Sequence, residues 1–340
     1  MAKRKSLTPH AFLKRLKDTI KHYDMLEKGD RVLVAVSGGA DSVCLLKALY
    51  DMRRKMGIEV VVGNLDHSLR GAESAADSRF VKKLAKELFL ECVHKKINVK
   101  VSGKKGTSIE EKAREKRYAF LEKAAKDKKC NVIATGHTID DQAETVLMRV
   151  VYGSSFAGLT GIPPVREEGP LRIVRPLIRT ERKDIDDFLK KMKMSHVEDV
   201  SNQDQRFVRN RLRHELLPFL EGYNPKIKRA LTNLSDTLRE DLAFIDRQKK
   251  GIIRKKVLTG GTTVKIKDIV LQPKTVRKEI FKDLFAEAGG NVKKLTYRHW
   301  MDMDNFVRAA GGRCVLDLPG NIRIGKKDGM VRFSVKKKSV

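Results

Sequence analysis

Short apolar runs alternate with amphipathic stretches through the first half of the chain. Residues 31–36 (RVLVAV) are a near-continuous β-branched run, the pattern of a strand buried on both faces. Residues 42–54 then place Val43, Leu46 and Leu49 on one face of a helix. Further along, the pattern predicts a buried strand over 59–65 (EVVVGNL), a helix over 74–88, a strand over 91–97 and a long charged helix over 108–128. A short strand over 131–134 (NVIA) and a helix over about 140–152 complete the series. This βαβα rhythm predicts an α/β fold: a doubly wound, mostly parallel sheet with helices on both faces.

The pattern changes after Gly153. Gly and Pro cluster over 153–170, which reads as a long loop, and a helix follows near 181–192. Asn224-Pro225 opens a long amphipathic helix reaching about residue 250. Beyond Gly260-Gly261 the order is strand (263–266), helix (274–288), helix (295–307) and three strands (313–318, 321–324, 330–335), with Asp328-Gly329 as a hairpin turn. We therefore expect an N-terminal helical arm (1–29), an α/β domain (30–215), a helical linker (216–250) and a small α+β domain (251–340).

Charge adds a partner. Lys and Arg number 73 against 43 Asp and Glu, a formal net charge of +30, far beyond what solubility requires. Residues 201–340 hold 32 basic and 15 acidic residues, net +17, leaving +13 for the longer first part. Such an excess favours a nucleic-acid partner, gripped late in the chain. Aromatic residues make up only 6%, so phosphate contact to a folded nucleic acid fits better than stacking along a single strand. No apolar run is long enough to span a bilayer, and no apolar segment follows the basic MAKRKSLTPH start, so neither a membrane nor secretion is expected. The scattered Cys44, Cys92, Cys130 and Cys314 form no CxxC pair and read as free thiols of a cytoplasmic protein.

Candidate chemistry lies at the strand ends. Ser37-Gly38-Gly39-Ala40-Asp41-Ser42 follows the first strand directly and opens the first helix. Small side chains let the backbone bend and aim N–H groups at an anion, and the helix N-terminus adds its dipole. Ser42 offers a hydroxyl to a phosphate, while Asp41, which repels phosphate, suits Mg²⁺ bridging to it. The sextet is neither a GxxxxGK[ST] nor a GxGxxG loop. Asp66 and His67 sit at the end of the second strand, the edge where doubly wound sheets bind ligands, though a capped turn explains them equally well. Arg114, on the charged helix, can reach a phosphate as a fixed fork. After the fourth strand comes GHTIDDQAET. There Asp141 and Glu144 share a helix face and can neutralise a metal or an ammonium, and His137 stands beside them. Arg209, Arg211 and Arg213 stand at alternate positions, which do not suit one helix face; they can reach phosphate, or a carboxylate in bidentate fashion.

The sextet resembles the PP-loop of the N-type ATP pyrophosphatases. The wider set of blocks (SGGADS, LDHSLRG, GTSIEEKAREKRY, GHTIDDQAET, Arg175-Pro176-Leu177 and DVSN…RNRLR) is similar, in order, to the tRNA(Ile)-lysidine synthetase family over about residues 30–220. LDLPGNIRI resembles that family's small C-terminal domain, with Asn321 where a Gly is common, and the chain reads as a short form. The resemblance implies an ATP-dependent ligase. It adenylates the C2 oxygen of the wobble cytidine of tRNA(Ile) with a CAU anticodon, and the lysine ε-amine then displaces AMP to give lysidine. It further implies that Ser37 to Ser42, with Asp66 and His67, hold ATP, that Asp41 sits near Mg²⁺, and that Arg114 stabilises the activated intermediate. Asp141 and Glu144 would recognise the ammonium of lysine, or a metal, and Arg209 its carboxylate. His137 would complete the catalytic set. Oligomeric state stays open, with a homodimer among the options. The rivals are a PP-loop tRNA thiolase, which generally needs cysteine pairs absent here, and a non-enzymatic basic RNA-binding protein.

Overall fold

Leu33, Val61, Ile133 and Ile173 point to one side of a central sheet, while Val32, Val34, Val60, Val62 and Val174 point to the other. The period-2 alternation of strand side chains feeds two separate cores from one set of strands. The computed structural model describes residues 6–66, 72–97, 109–197, 208–250, 257–258, 261–309 and 314–336. The chain divides into two compact units, Met1–Asp236 and Thr237–Val340.

In the first unit the elements run α1 (Pro9–His22), β1 (Arg31–Ala35), α2 (Ala40–Met56), β2 (Glu59–Asp66), α3 (Ala72–Glu87), β3 (Cys92–Lys96), α4 (Ile109–Asp127), β4 (Val132–Ala134) and α5 (Ile139–Val151). After these come α6 (Phe156–Leu159), β5 (Val165–Glu168), β6 (Leu171–Val174), α7 (Arg182–Lys191), α8 (Val208–Arg211), a π-helical turn (Leu212–Leu216), α9 (Leu217–Tyr223) and α10 (Ile227–Lys250), which crosses into the second unit. The sheet order is β3-β2-β1-β4-β6-β5, parallel except for β5. After β1 the next strand lies on one side and β4 on the other. The crevice at their carboxyl ends is therefore the topological switch point of a doubly wound sheet, where ligands bind.

Helices α1, α2, α3 and α7 cover one face and α4 covers the other. Phe12 of α1 stacks on Phe188 of α7 with ring centroids 4.3 Å apart. Each fully buried Leu, Val or Phe contributes about 1.5–3 kcal/mol through apolar burial, so the predicted N-terminal helix is anchored in the same core as the sheet.

The stretch expected as one long loop, 153–170, contains α6 and the edge strand β5, and β6 was not foreseen. Gly169, at φ +60°, turns β5 back onto β6. Charged Arg166, Glu167 and Glu168 make β5 unlike a buried strand in sequence, and they suit an unpaired sheet edge.

The second unit contains β7 (Val257–Leu258), β8 (Gly261–Lys265), α11 (Ile266–Val270), α12 (Lys274–Glu287), a 3-10 turn (Val292–Lys294), α13 (Tyr297–Arg308), β9 (Val315–Leu318), β10 (Ile322–Lys327) and β11 (Met330–Val335). Its antiparallel sheet runs β7-β8-β11-β10-β9, with Ile280, Phe281, Phe285 and Phe333 in its core. Asp328 and Gly329 take φ of 50° and 69°, the left-handed pair of a tight hairpin, as their sequence predicts. Asn321 also lies at positive φ (60°), which Asn tolerates better than other side chains. Among the described residues no helix is long and apolar enough to cross a membrane.

Candidate active site

The loop after β1 is built around its own backbone. Gly38 takes φ +101°, which L side chains rarely adopt, and Gly39 is the N-cap of α2. The first bond into the helix runs from Val43 N–H to Gly39 O at 3.0 Å, so the N–H groups of Ala40, Asp41 and Ser42 precede the ladder. With the helix dipole, N–H groups in this arrangement can receive an anion. The Ser42 hydroxyl braces the loop: it donates to Gly39 O at 2.9 Å, accepts from Ser37 N–H at 3.2 Å and lies 3.2 Å from Ser37 Oγ.

Two further segments lock this loop. Val197 N–H donates to Gly38 O at 3.0 Å and pairs alongside Gly39 as an isolated bridge. Gly136, after β4, passes so close that a Cβ there would lie 3.2 Å from the Asp41 carbonyl carbon and 3.3 Å from Ser42 N. The GHTIDD block is thus drawn against the SGGADS block across the switch point.

Together they line a cleft of about 690 Å³, which holds Ser37, Gly39, Ala40, Asp41, Ser42, Arg114, His137, Asp141 and Arg209 of the predicted site. That size suits a nucleotide-class ligand. Gly38 is packed behind the loop against Val197, Val81 and Phe80. Asp66 ends β2 as a buried residue, and Glu144 is buried beneath the cleft. His67, the rest of LDHSLRG, residues 106–108 and residues 198–207 lie outside the described residues.

Asp41 meets a residue that sequence reasoning missed. Its carboxylate lies 3.2 Å from Arg182, at the start of α7. Burial pushes the Asp41 carboxyl up to about 6; Arg182 opposes this, and Asp141, Asp140 and Asp186 reinforce it. His137 Nδ1 lies 2.9 Å from Thr135 Oγ1. Burial drives its imidazole down to about 3, aided by Arg175, Arg117 and Arg114 and opposed by Asp141. The ring is therefore neutral near pH 7, suited to hydrogen bonding rather than to storing a proton. Arg114 is exposed on α4, its guanidinium 5.3 Å from the Tyr118 ring centroid.

The acid pair is fully engaged. Asp141 forms a capping box with Thr138: its Oδ2 accepts from Thr138 N–H at 2.8 Å and from Oγ1 at 3.1 Å. Its Oδ1 lies 2.7 Å from Arg209. Burial alone would raise the Asp141 carboxyl, but Arg209, the Thr138 N–H and Arg213 hold it below its ordinary value. Glu144 accepts from Arg209 Nε at 2.6 Å and from Arg213 Nε at 2.5 Å. Arg209 and Arg213 are i and i+4, so two of the three alternating arginines do share a face. Arg211 instead pairs with Glu215 at 3.6 Å.

No described group of three or more His, Cys, Asp or Glu is arranged to hold a metal. Among the described residues, Asp41 offers a partly exposed carboxylate beside that helix start. A single carboxylate, completed by water and nucleotide phosphates, is the usual way a protein holds Mg²⁺ on a nucleotide, so the residues fit it. Cys44 and Cys130 are buried, and burial raises both thiols.

Comparison with known proteins gives a consistent family. The PP-loop domain profile matches residues 9–220. The chain is 34% identical to a tRNA(Ile)-lysidine synthase of Geobacter sulfurreducens, over 97% of this chain and 70% of that protein. It is 30% identical to the tRNA(Ile)-lysidine synthase of Clostridioides difficile, over 92% of this chain and 68% of that one. In fold it is similar to the U34-tRNA thiolase NcsA from Methanococcus maripaludis, solved with its [4Fe-4S] cluster (TM-score 0.58, 15% identity, covering 70% of this chain and 85% of that one).

Proposed function

The chain belongs to the tRNA(Ile)-lysidine synthases of the PP-loop family, and from that premise we propose how its residues perform the ligation. The cytosine O2 of the CAU anticodon's wobble base attacks the α-phosphorus of ATP and pyrophosphate leaves. The ε-amine of lysine then attacks C2, AMP departs, and the amine loses its proton.

The N–H groups of Ala40, Asp41 and Ser42 bind the departing pyrophosphate, where charge builds during the first step. Mg²⁺, when bound with the nucleotide, neutralises phosphate charge, and Asp41 is the residue that would hold it. Arg114 reaches from α4 toward the adenylated base as a planar cation. His137, neutral, hydrogen-bonds in the cleft without adding charge to it. Asp141 and Glu144 receive the ammonium of lysine, and Arg209 its carboxylate. The basic residues of 201–340 hold the body of the RNA while the wobble base enters, splayed from its loop.

One observation carries this reading: a helix start that can receive an anion and a buried acid–arginine cluster face one cleft, so a phosphate ester and an ammonium can meet there. The test is ATP-dependent incorporation of labelled lysine into a CAU-bearing tRNA(Ile) transcript, with AMP and pyrophosphate counted. We expect one of each per lysine. Lysine incorporation without AMP, or no cleavage between the α and β phosphorus atoms, would refute it.

A further inference from the structure

Every carboxylate oxygen at the acid pair is taken. Glu144 gives Oε2 to Arg209 and Oε1 to Arg213, and Asp141 gives Oδ1 to Arg209 and Oδ2 to Thr138. The Glu144 side chain is 0% exposed. Two negative charges face two guanidiniums, so the cluster is neutral as it stands. An ammonium added with both arginines in place would leave an uncompensated cation in a buried site, with Arg117 of the same sign nearby.

The two arginines are not equivalent. Arg213 donates to Glu144 alone within hydrogen-bonding distance, its contact with Asp141 being 3.8 Å. Arg209 bridges both acids, with Nε on Glu144 and a terminal nitrogen on Asp141. Of the two it is also the one that lines the cleft, with 42% of its side chain exposed. It therefore occupies the position where a ligand's ammonium would touch both carboxylates, and it has open space to move into.

We propose that Arg209 is a resident stand-in for the substrate's cation. In the empty enzyme its guanidinium fills the ammonium slot between Asp141 and Glu144. The arriving ε-ammonium displaces it, and the freed guanidinium turns to the carboxylate of the same amino acid. Arg213 stays as a positioning residue, holding Glu144 in place during the exchange. At the acid pair the charge count is unchanged, because one cation replaces another, and a ligand is rewarded only if it brings both a cation for the acids and an anion for Arg209. An amine with no carboxylate must displace Arg209 without compensating it, so the slot discriminates against simple amines. This rests on the amino-acid site proposed above.

The sign of one substitution separates this exchange from simple substrate contact. Kd values for lysine and for n-pentylamine, a chain of matching length without the carboxylate and the α-amino group, are measured by ligand-observed NMR on the full-length protein. Removing the stand-in removes a competing occupant, so in Arg209→Met we expect pentylamine to bind roughly tenfold more tightly and lysine roughly tenfold more weakly than in the parent. Arg209→Gln is the second variant, and thermal melting identifies any variant that fails to fold. Unchanged or weaker pentylamine binding in the folded Arg209 variants overturns the stand-in. Glu144→Gln tests the underlying site separately: it should weaken both ligands. If it leaves both unchanged, the ammonium site itself is misassigned. If it weakens both while the Arg209 variants show no gain for pentylamine, only the exchange is wrong.

Discussion

The Asp41 carboxylate lies 3.2 Å from the Arg182 guanidinium, although 141 residues separate them in sequence. The pair joins the first turn of α2 to the first turn of α7 at the mouth of the cleft. Asp41 is thus placed by tertiary structure as well as by its loop, and its removal should stop adenylation without loosening the RNA. For Asp41→Asn we expect AMP release to fall by about a thousandfold or more, the scale of losing a principal electrostatic group, with tRNA retention on filters largely intact. Loss of tRNA retention with surviving ATP turnover would contradict the division of labour between the cleft and the basic C-terminal residues.

Gly136 supplies a steric test. A methyl group there would press on the Asp41 carbonyl carbon at 3.2 Å, against backbone that cannot rotate away. Gly136→Ala should cost about 1–3 kcal/mol as an overpacked contact and raise the KM for ATP more than that for lysine. Wild-type Tm and unchanged ATP affinity would show that the two loops are not in register contact in solution.

His137 makes a pH prediction. Its folded value, about 3, lies below its ordinary value, so between the two the unfolded chain binds more protons. The stabilisation from keeping the ring neutral is complete above the unfolded value and is lost as pH falls toward the folded one. Thermal melts from pH 7 down to pH 4 should therefore fall less steeply for His137→Asn than for the parent. Parallel slopes would show that the imidazole titrates normally.

Salt tests the basic clamp. A site that neutralises about four phosphates loses roughly a hundredfold in affinity between 50 and 200 mM salt. Fluorescence titrations of a labelled tRNA should reach at least that slope, and a flat response would remove phosphate contact as the main source of RNA affinity.

The sheet and its phosphate loop were legible because both are local. β-branched runs mark buried strands, and SGGADS sits directly between a strand and a helix. What escaped depends on distant contacts. Nothing near Arg182 or Val197 in sequence signals that either reaches the loop around Gly38 to Asp41. Helical structure begins at Val208, ahead of the linker expected over 216–250, in an arginine-rich stretch where Leu212 and Leu217 are buried. The Ser42 hydroxyl has a bracing role in its own loop that the sequence does not announce. That purpose becomes visible only when Ser37 and Gly39 are seen within bonding distance.

The bridge between Gly39 and Val197 also bears on biosynthesis. A ribosome emits Gly39 early, yet its strap emerges only after most of the first unit has been made. The nascent chain therefore carries an unfinished nucleotide pocket for most of its translation. Closure of that pocket waits on a pairing of high sequence separation, which forms slowly. Competence to split ATP should appear late and abruptly, as the last strap docks, rather than growing with chain length.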